Sequence, residues 1–188
     1  MAVTKKRLAH VVLQTTDLNR LRDWYLQVLD ARVVYQNDGS VFLTFDDEHH
    51  RLAILQIPGL TKRTPVTVGM AHTAYTFDSL HELMAKYVGL KDVGITPRVP
   101  VQHGVTTSLY YRDPDGNMVE LQIDNFATPD EATAYMQSEE YDLDFIGPSF
   151  DPDRMAAAVA DGTPPEQLTT RAWAMTTPQL NVVELILT

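Results

Sequence analysis

The sequence predicts an α+β fold in which two β-α-β-β-β modules form one domain and a mainly helical C-terminal extension follows. Three observations carry that prediction. The order of strand-like and helix-like segments in residues 7–58 recurs in residues 68–125. The first strand of each module holds a histidine, His10 in Ala9-His10-Val11 and His72 in Ala71-His72-Thr73. From Phe126 onward the alternation gives way to helix starts punctuated by proline. At 188 residues the chain has the size of one domain, or one domain with an appendage. Residues 1–125 are therefore read as the domain and 126–188 as an extension that is not an independent domain.

In the first module, Leu8–Thr15 reads as a strand with His10 near its middle. Asp17 starts a helix, because Leu18, Leu21, Trp24, Tyr25, Val28 and Leu29 recur at helical spacing. Strands follow at Ala31–Gln36, Ser40–Phe45 and Arg51–Ile57, with Asn37-Asp38-Gly39 as a turn signal. Thr61–Val66 reads as a linker. In the second module, Gly69–Phe77 is a strand and Ser79–Val88 a helix with Leu80, Leu83, Met84 and Tyr87 as its apolar stripe. Strands are predicted at Thr96–Pro100, Thr106–Tyr111 and Asn117–Asp124.

In the extension, Thr128 caps a helix with Pro129 at its first position. Arg154–Ala160 is a second helix, and Thr163-Pro164-Pro165 opens a third. Val182–Leu187 reads either as a last strand or as a packed tail. This third of the chain shows no clustered chemistry.

Composition sets outer bounds. Hydrophobic residues make up 44% and charged residues 21%, an ordinary globular balance. No apolar run approaches the roughly 20 residues that span a bilayer, and the basic start carries no signal-peptide pattern. A net charge of −10 argues against a phosphate-backbone partner. With no cysteine, disulfides and thiolate metal sites are excluded, and a cytoplasmic setting fits.

The most informative stretch is Val101–Glu120. Asp113-Pro114-Asp115-Gly116 suits a type I turn followed by glycine in the left-handed region, a common hairpin loop. Asp113 then pairs with Asn117, so Tyr110 faces Glu120 on the same side of the sheet. Leu109, Tyr111, Val119 and Leu121 point the other way. An inward carboxylate is costly unless something neutralises it. Arg112, the nearest base in sequence, sits at the turn and is expected to reach solvent. Two strands each offer one histidine. Two imidazoles and one carboxylate suit a divalent first-row metal with open coordination positions, which makes His10, His72 and Glu120 the candidate ligands.

The same stretch carries a family resemblance. His103, five residues, Leu109, Tyr110, two residues, Asp113, Pro114, one residue, Gly116 and then Glu120 fill the signature of type I extradiol ring-cleaving dioxygenases. The chain resembles the vicinal oxygen chelate (glyoxalase-like) superfamily over about Leu8–Asp124. Within it, the chain is most similar to the one-domain enzymes acting on 2,3-dihydroxybiphenyl and related catechols. The resemblance implies that His10, His72 and Glu120 hold Fe(II), with Mn(II) as the alternative ion. It implies an acid–base role for His50, which stands in His49-His50-Arg51-Leu52-Ala53. It places His103 and Tyr110 beside substrate and bound oxygen. His81 and the Trp24-Tyr25 pair read as surface and packing residues, and Asp113 and Asp115 as turn formers.

The expected activity is extradiol cleavage of a catechol by O2 in a homo-oligomeric protein, with no nucleic-acid or membrane partner. The alternatives are a metal-dependent isomerase or lyase of the same fold, or a small-molecule-binding resistance protein. The isomerase and lyase branches generally use four protein ligands, where only three are found here.

Overall fold

The computed structural model describes residues 6–61, 64 and 68–187. Its elements run in the order β1 (Val11–Thr15), α1 (Leu18–Val28), β2 (Arg32–Gln36), β3 (Ser40–Thr44), β4 (Leu52–Gln56), β5 (His72–Thr76), α2 (Leu80–Asp92), β6 (Val99–Gln102), β7 (Thr106–Arg112) and β8 (Met118–Asp124). Helices follow: α3 (Pro129–Met136), α4 (Glu139–Leu143), α5 (Pro152–Ala160), α6 (Pro165–Leu168), α7 (Arg171–Ala174) and α8 (Val182–Leu187). The two modules form two four-stranded sheets of identical topology, β1-β4-β3-β2 and β5-β8-β7-β6. In each, the first strand pairs in parallel with the last and the other pairings are antiparallel. The chain divides into two compact units. The first comprises the described residues of 1–63 with the turn 113–116, and the second those of 64–112 and 117–188.

In the first unit, Asp17 accepts a hydrogen bond from the Arg20 amide and caps α1, a contribution of about 1 kcal/mol. The predicted stripe is the buried face: Leu18, Leu21, Trp24, Tyr25 and Val28. The inner strands β3 and β4 supply Val41, Leu43, Leu52 and Ile54 to the same core. β1 is shorter than expected. It begins at Val11, so His10 stands just ahead of the strand and not within it. The Arg51 guanidinium donates to the carbonyls of Leu8 and Ala9, just ahead of β1. Asp113 and Asp115 behave as turn formers, with Asp113 accepting from the Asp115 amide and from the Tyr25 hydroxyl.

In the second unit, Ser79 caps α2. The helix continues past Val88 to Asp92 because Leu90 extends the buried stripe. Gly94, at φ 82°, then turns the chain away. β6 lies later than predicted, at Val99–Gln102, fixed by its pairing with β7. The β7–β8 register is the expected one, with Tyr110 opposite Glu120 and Leu109 opposite Leu121. Thr128 and Glu131 form a reciprocal capping box on α3.

Residues 182–187 are a helix and not a strand. Val182 joins Val99, Val101, Tyr110 and Met118 in a buried cluster, with Ile146, Leu185 and Ile186 packed against it. Arg112 does not reach out into solvent as its place at the turn predicts; it is half-buried and donates to the Ile186 carbonyl. Most of the predicted linker Thr61–Val66 lies outside the described residues. Among the described residues, no helix is long and apolar enough to cross a membrane.

Candidate active site

The second unit gathers four of the six predicted site residues. The pairing of β7 with β8 places Tyr110 and Glu120 side by side, and the parallel pairing of β5 with β8 brings His72 alongside. His72 Nε2 lies 3.0 Å from Glu120 Oε2. Glu120 is only 4% exposed. Burial pushes its carboxyl upward, but hydrogen bonds from His72 and Ser108 outweigh that and hold it below the usual carboxylate range. The same contact with Glu120 raises His72. A carboxylate this deep requires a cationic partner. Protonated His72 is one, and a divalent metal shared by the two side chains is another. Their oxygen and imidazole donors fit a borderline first-row ion.

The Tyr110 hydroxyl stands between Glu120, to which it hydrogen-bonds, and His103, whose Nε2 lies 2.9 Å away. Burial and the neighbouring Glu120 charge raise the phenol well above its ordinary value, so it remains protonated at neutral pH. The Tyr110 ring meets the rings of His72 and His103 edge-on, with centroids 5.4 and 5.9 Å apart. Burial lowers His103, against the pull of Glu120 and a hydrogen bond to the Ile146 backbone.

The first unit holds the other two. The His50 ring lies between that of His10, at a centroid distance of 4.4 Å, and that of Phe42, stacked at 5.0 Å. His49 is the outward member of the histidine pair, with its side chain 73% exposed, and its Nδ1 lies 2.6 Å from His50 Nδ1. Partial burial, reinforced by His10 and His49, lowers His50 below the ordinary imidazole value. His81 is on the exposed face of α2, as expected. Among the described residues, no group of three or more His, Asp or Glu side chains is arranged to hold a metal ion.

Three contacts are not foreseen from the sequence. Ser108 lies two residues before Tyr110 and shares its face of β7, so strand periodicity alone could have found it. Ile146 and Arg171, which touch His103, come from the extension and leave no pattern in the sequence.

Residues 7–121 match the family described as the Glyoxalase/Bleomycin resistance protein/Dioxygenase superfamily. The chain is 62% identical to biphenyl-2,3-diol 1,2-dioxygenase 3 of Rhodococcus globerulus, over all of both chains. The chain belongs to this superfamily. Within the superfamily it is also 59% identical to biphenyl-2,3-diol 1,2-dioxygenase 2 of the same organism, covering 96% of this chain and 95% of that one. The superfamily fold recurs at lower identity in the fosfomycin resistance protein FosX of Listeria monocytogenes. There the TM-score is 0.51 and the identity 23%, over 69% of this chain and 99% of that one.

Proposed function

We propose that this protein is an extradiol dioxygenase that opens the ring of 2,3-dihydroxybiphenyl or a related catechol with O2. The observation that carries the reading is its 62% identity, end to end, with a biphenyl-2,3-diol 1,2-dioxygenase. The contact of His72 with the buried Glu120, with Tyr110 and His103 beside it, supports the same reading.

His10, His72 and Glu120 are the residues that would hold the metal, Fe(II) in this proposal, with Mn(II) also suited to the donors. When bound, such an ion supplies Lewis acidity to the two vicinal diol oxygens and electron exchange with O2. His50, neutral at physiological pH, is the base that receives a diol proton and later returns it. Tyr110 keeps its proton and donates a hydrogen bond to a substrate oxygen. His103 backs Tyr110 and would move protons beside the substrate. The reaction balances without a further reductant: both atoms of O2 enter the ring-opened acid, and the bond broken lies next to the diol, not between its carbons.

The absence of cysteine accords with a cytoplasmic setting. The edge strand β2, exposed along its whole length, accords with a homo-oligomer. The test is O2 consumption by iron-loaded protein on a panel of catechols. Ring cleavage of 2,3-dihydroxybiphenyl supports the proposal, and bound iron with no uptake on any catechol contradicts it.

A further inference from the structure

We propose that the C-terminal extension is the device that positions His103, and that Arg171 is its principal positioning residue. The inference rests on the functional reading of His103 above. Arg171, the first residue of α7, donates from Nη2 to the His103 carbonyl at 2.7 Å, across 68 residues of sequence. Its guanidinium sits over the rings of Tyr135 and Tyr141, at 5.9 and 5.8 Å from their centroids. Its Nε is buried with no hydrogen-bond partner among the described residues. A buried donor left without a partner costs free energy, so the contacts that hold the guanidinium here must offset that cost.

The residues on either side of His103 are clamped by the same extension. Gly147, at φ 86°, lets the backbone lie on the Gln102 carbonyl, where any Cβ would collide with that oxygen. The Pro148 carbonyl accepts from the Gln102 amide at 2.8 Å. Gly104, at φ 90°, lets the Tyr135 hydroxyl approach to where a Cβ would be 2.5 Å away. The His103 ring hydrogen-bonds the Ile146 backbone. The loop has a separate anchorage in its own sheet, because Asn125 donates to Gln102 and to the Gly104 carbonyl. Loss of Arg171 therefore leaves the loop tethered and removes the extension's hold on the His103 carbonyl.

The experiment is a double-mutant cycle on the iron-loaded protein with 2,3-dihydroxybiphenyl, using Arg171→Met and His103→Gln. A positioning fault of about 1 Å can lower turnover by as much as about 100-fold. Arg171→Met is accordingly expected to lower kcat about 10- to 100-fold, with KM changed less than about 3-fold and iron content unchanged. In the double variant the losses should not add, since both changes act on one group. In metal-free protein, the imidazole NMR resonance assigned by its disappearance in His103→Gln should shift in Arg171→Met. Arg171→Gln, which keeps a polar head but is too short for the carbonyl, replaces Arg171→Met if that variant does not fold. Additive losses, or full kcat with an unmoved His103 resonance, overturn the inference. Full turnover in His103→Gln would instead refute the role given to His103, and the resonance then decides whether the extension positions it.

Discussion

His72 and Glu120, 48 positions apart in sequence, meet at 3.0 Å in a site where the carboxylate is almost fully shielded from water. Parallel pairing of β5 with β8 produces the contact, aligning Ala74 with Glu120 and leaving His72 two residues away on the same face. If this pair holds the metal, Glu120→Gln removes a charged donor and keeps the shape. Elemental analysis of freshly purified variant should find metal reduced at least about 10-fold, as loss of a primary donor exceeds the 10–100-fold cost of losing an outer-shell partner. Full occupancy would refute the ligand role.

Tyr110→Phe tests the donor beside the pair. The buried ring stays, so the fold should be kept, with the melting temperature lowered by the loss of the hydroxyl's bonds to Glu120 and His103. Loss of one hydrogen-bond donor aimed at developing charge lowers turnover about 100- to 1,000-fold. Steady-state O2 uptake measures it, and turnover equal to the parent protein would mean the phenol only packs.

His50→Phe separates proton transfer from metal binding. A phenyl ring can retain the stacking on Phe42. Iron content should match the parent protein while kcat falls about 100- to 10,000-fold, the usual scale of general acid–base catalysis. Loss of iron along with activity would show that His50 acts through the metal site.

The β7–β8 hairpin is legible in the sequence because its turn chemistry fixes the register, and the register alone puts Tyr110 opposite Glu120. The helices α1 and α2 are legible from their apolar stripes. The strand ends are not. His10 falls just outside β1, whose pairing starts at Val11, and periodicity does not mark where pairing starts. The extension is the least legible part. Arg171 reaches His103 through a single long-range hydrogen bond, and Arg112 is drawn from solvent by the Ile186 carbonyl. Neither contact repeats along the chain, so neither leaves a pattern.

The extension is also tied to α2. Asp153 on α5 accepts from the Tyr87 hydroxyl at 2.8 Å and from Lys91 at 2.5 Å. Lys91 first, and then Tyr87, hold its carboxyl below the usual aspartate range. A carboxyl depressed on folding adds stability above its unfolded pKa, and that contribution is lost as pH falls through the folded value. Asp153→Asn should therefore melt lower than the parent at pH 7, by about 1–3 °C given the modest worth of exposed pairs. The gap should close as the pH falls below the ordinary aspartate pKa. An equal gap at pH 7 and in acid would show that the charge of Asp153 contributes nothing.

The central claim is ring cleavage beside the diol. It is tested most directly by mixing iron-loaded protein anaerobically with 2,3-dihydroxybiphenyl, admitting O2, and following oxygen consumption, visible absorbance and product mass together. The account predicts one O2 consumed per diol and a yellow ring-opened product heavier by both oxygen atoms. A colourless dicarboxylate from cleavage between the two hydroxyl-bearing carbons, or bound iron and diol with no oxygen consumed, would contradict it.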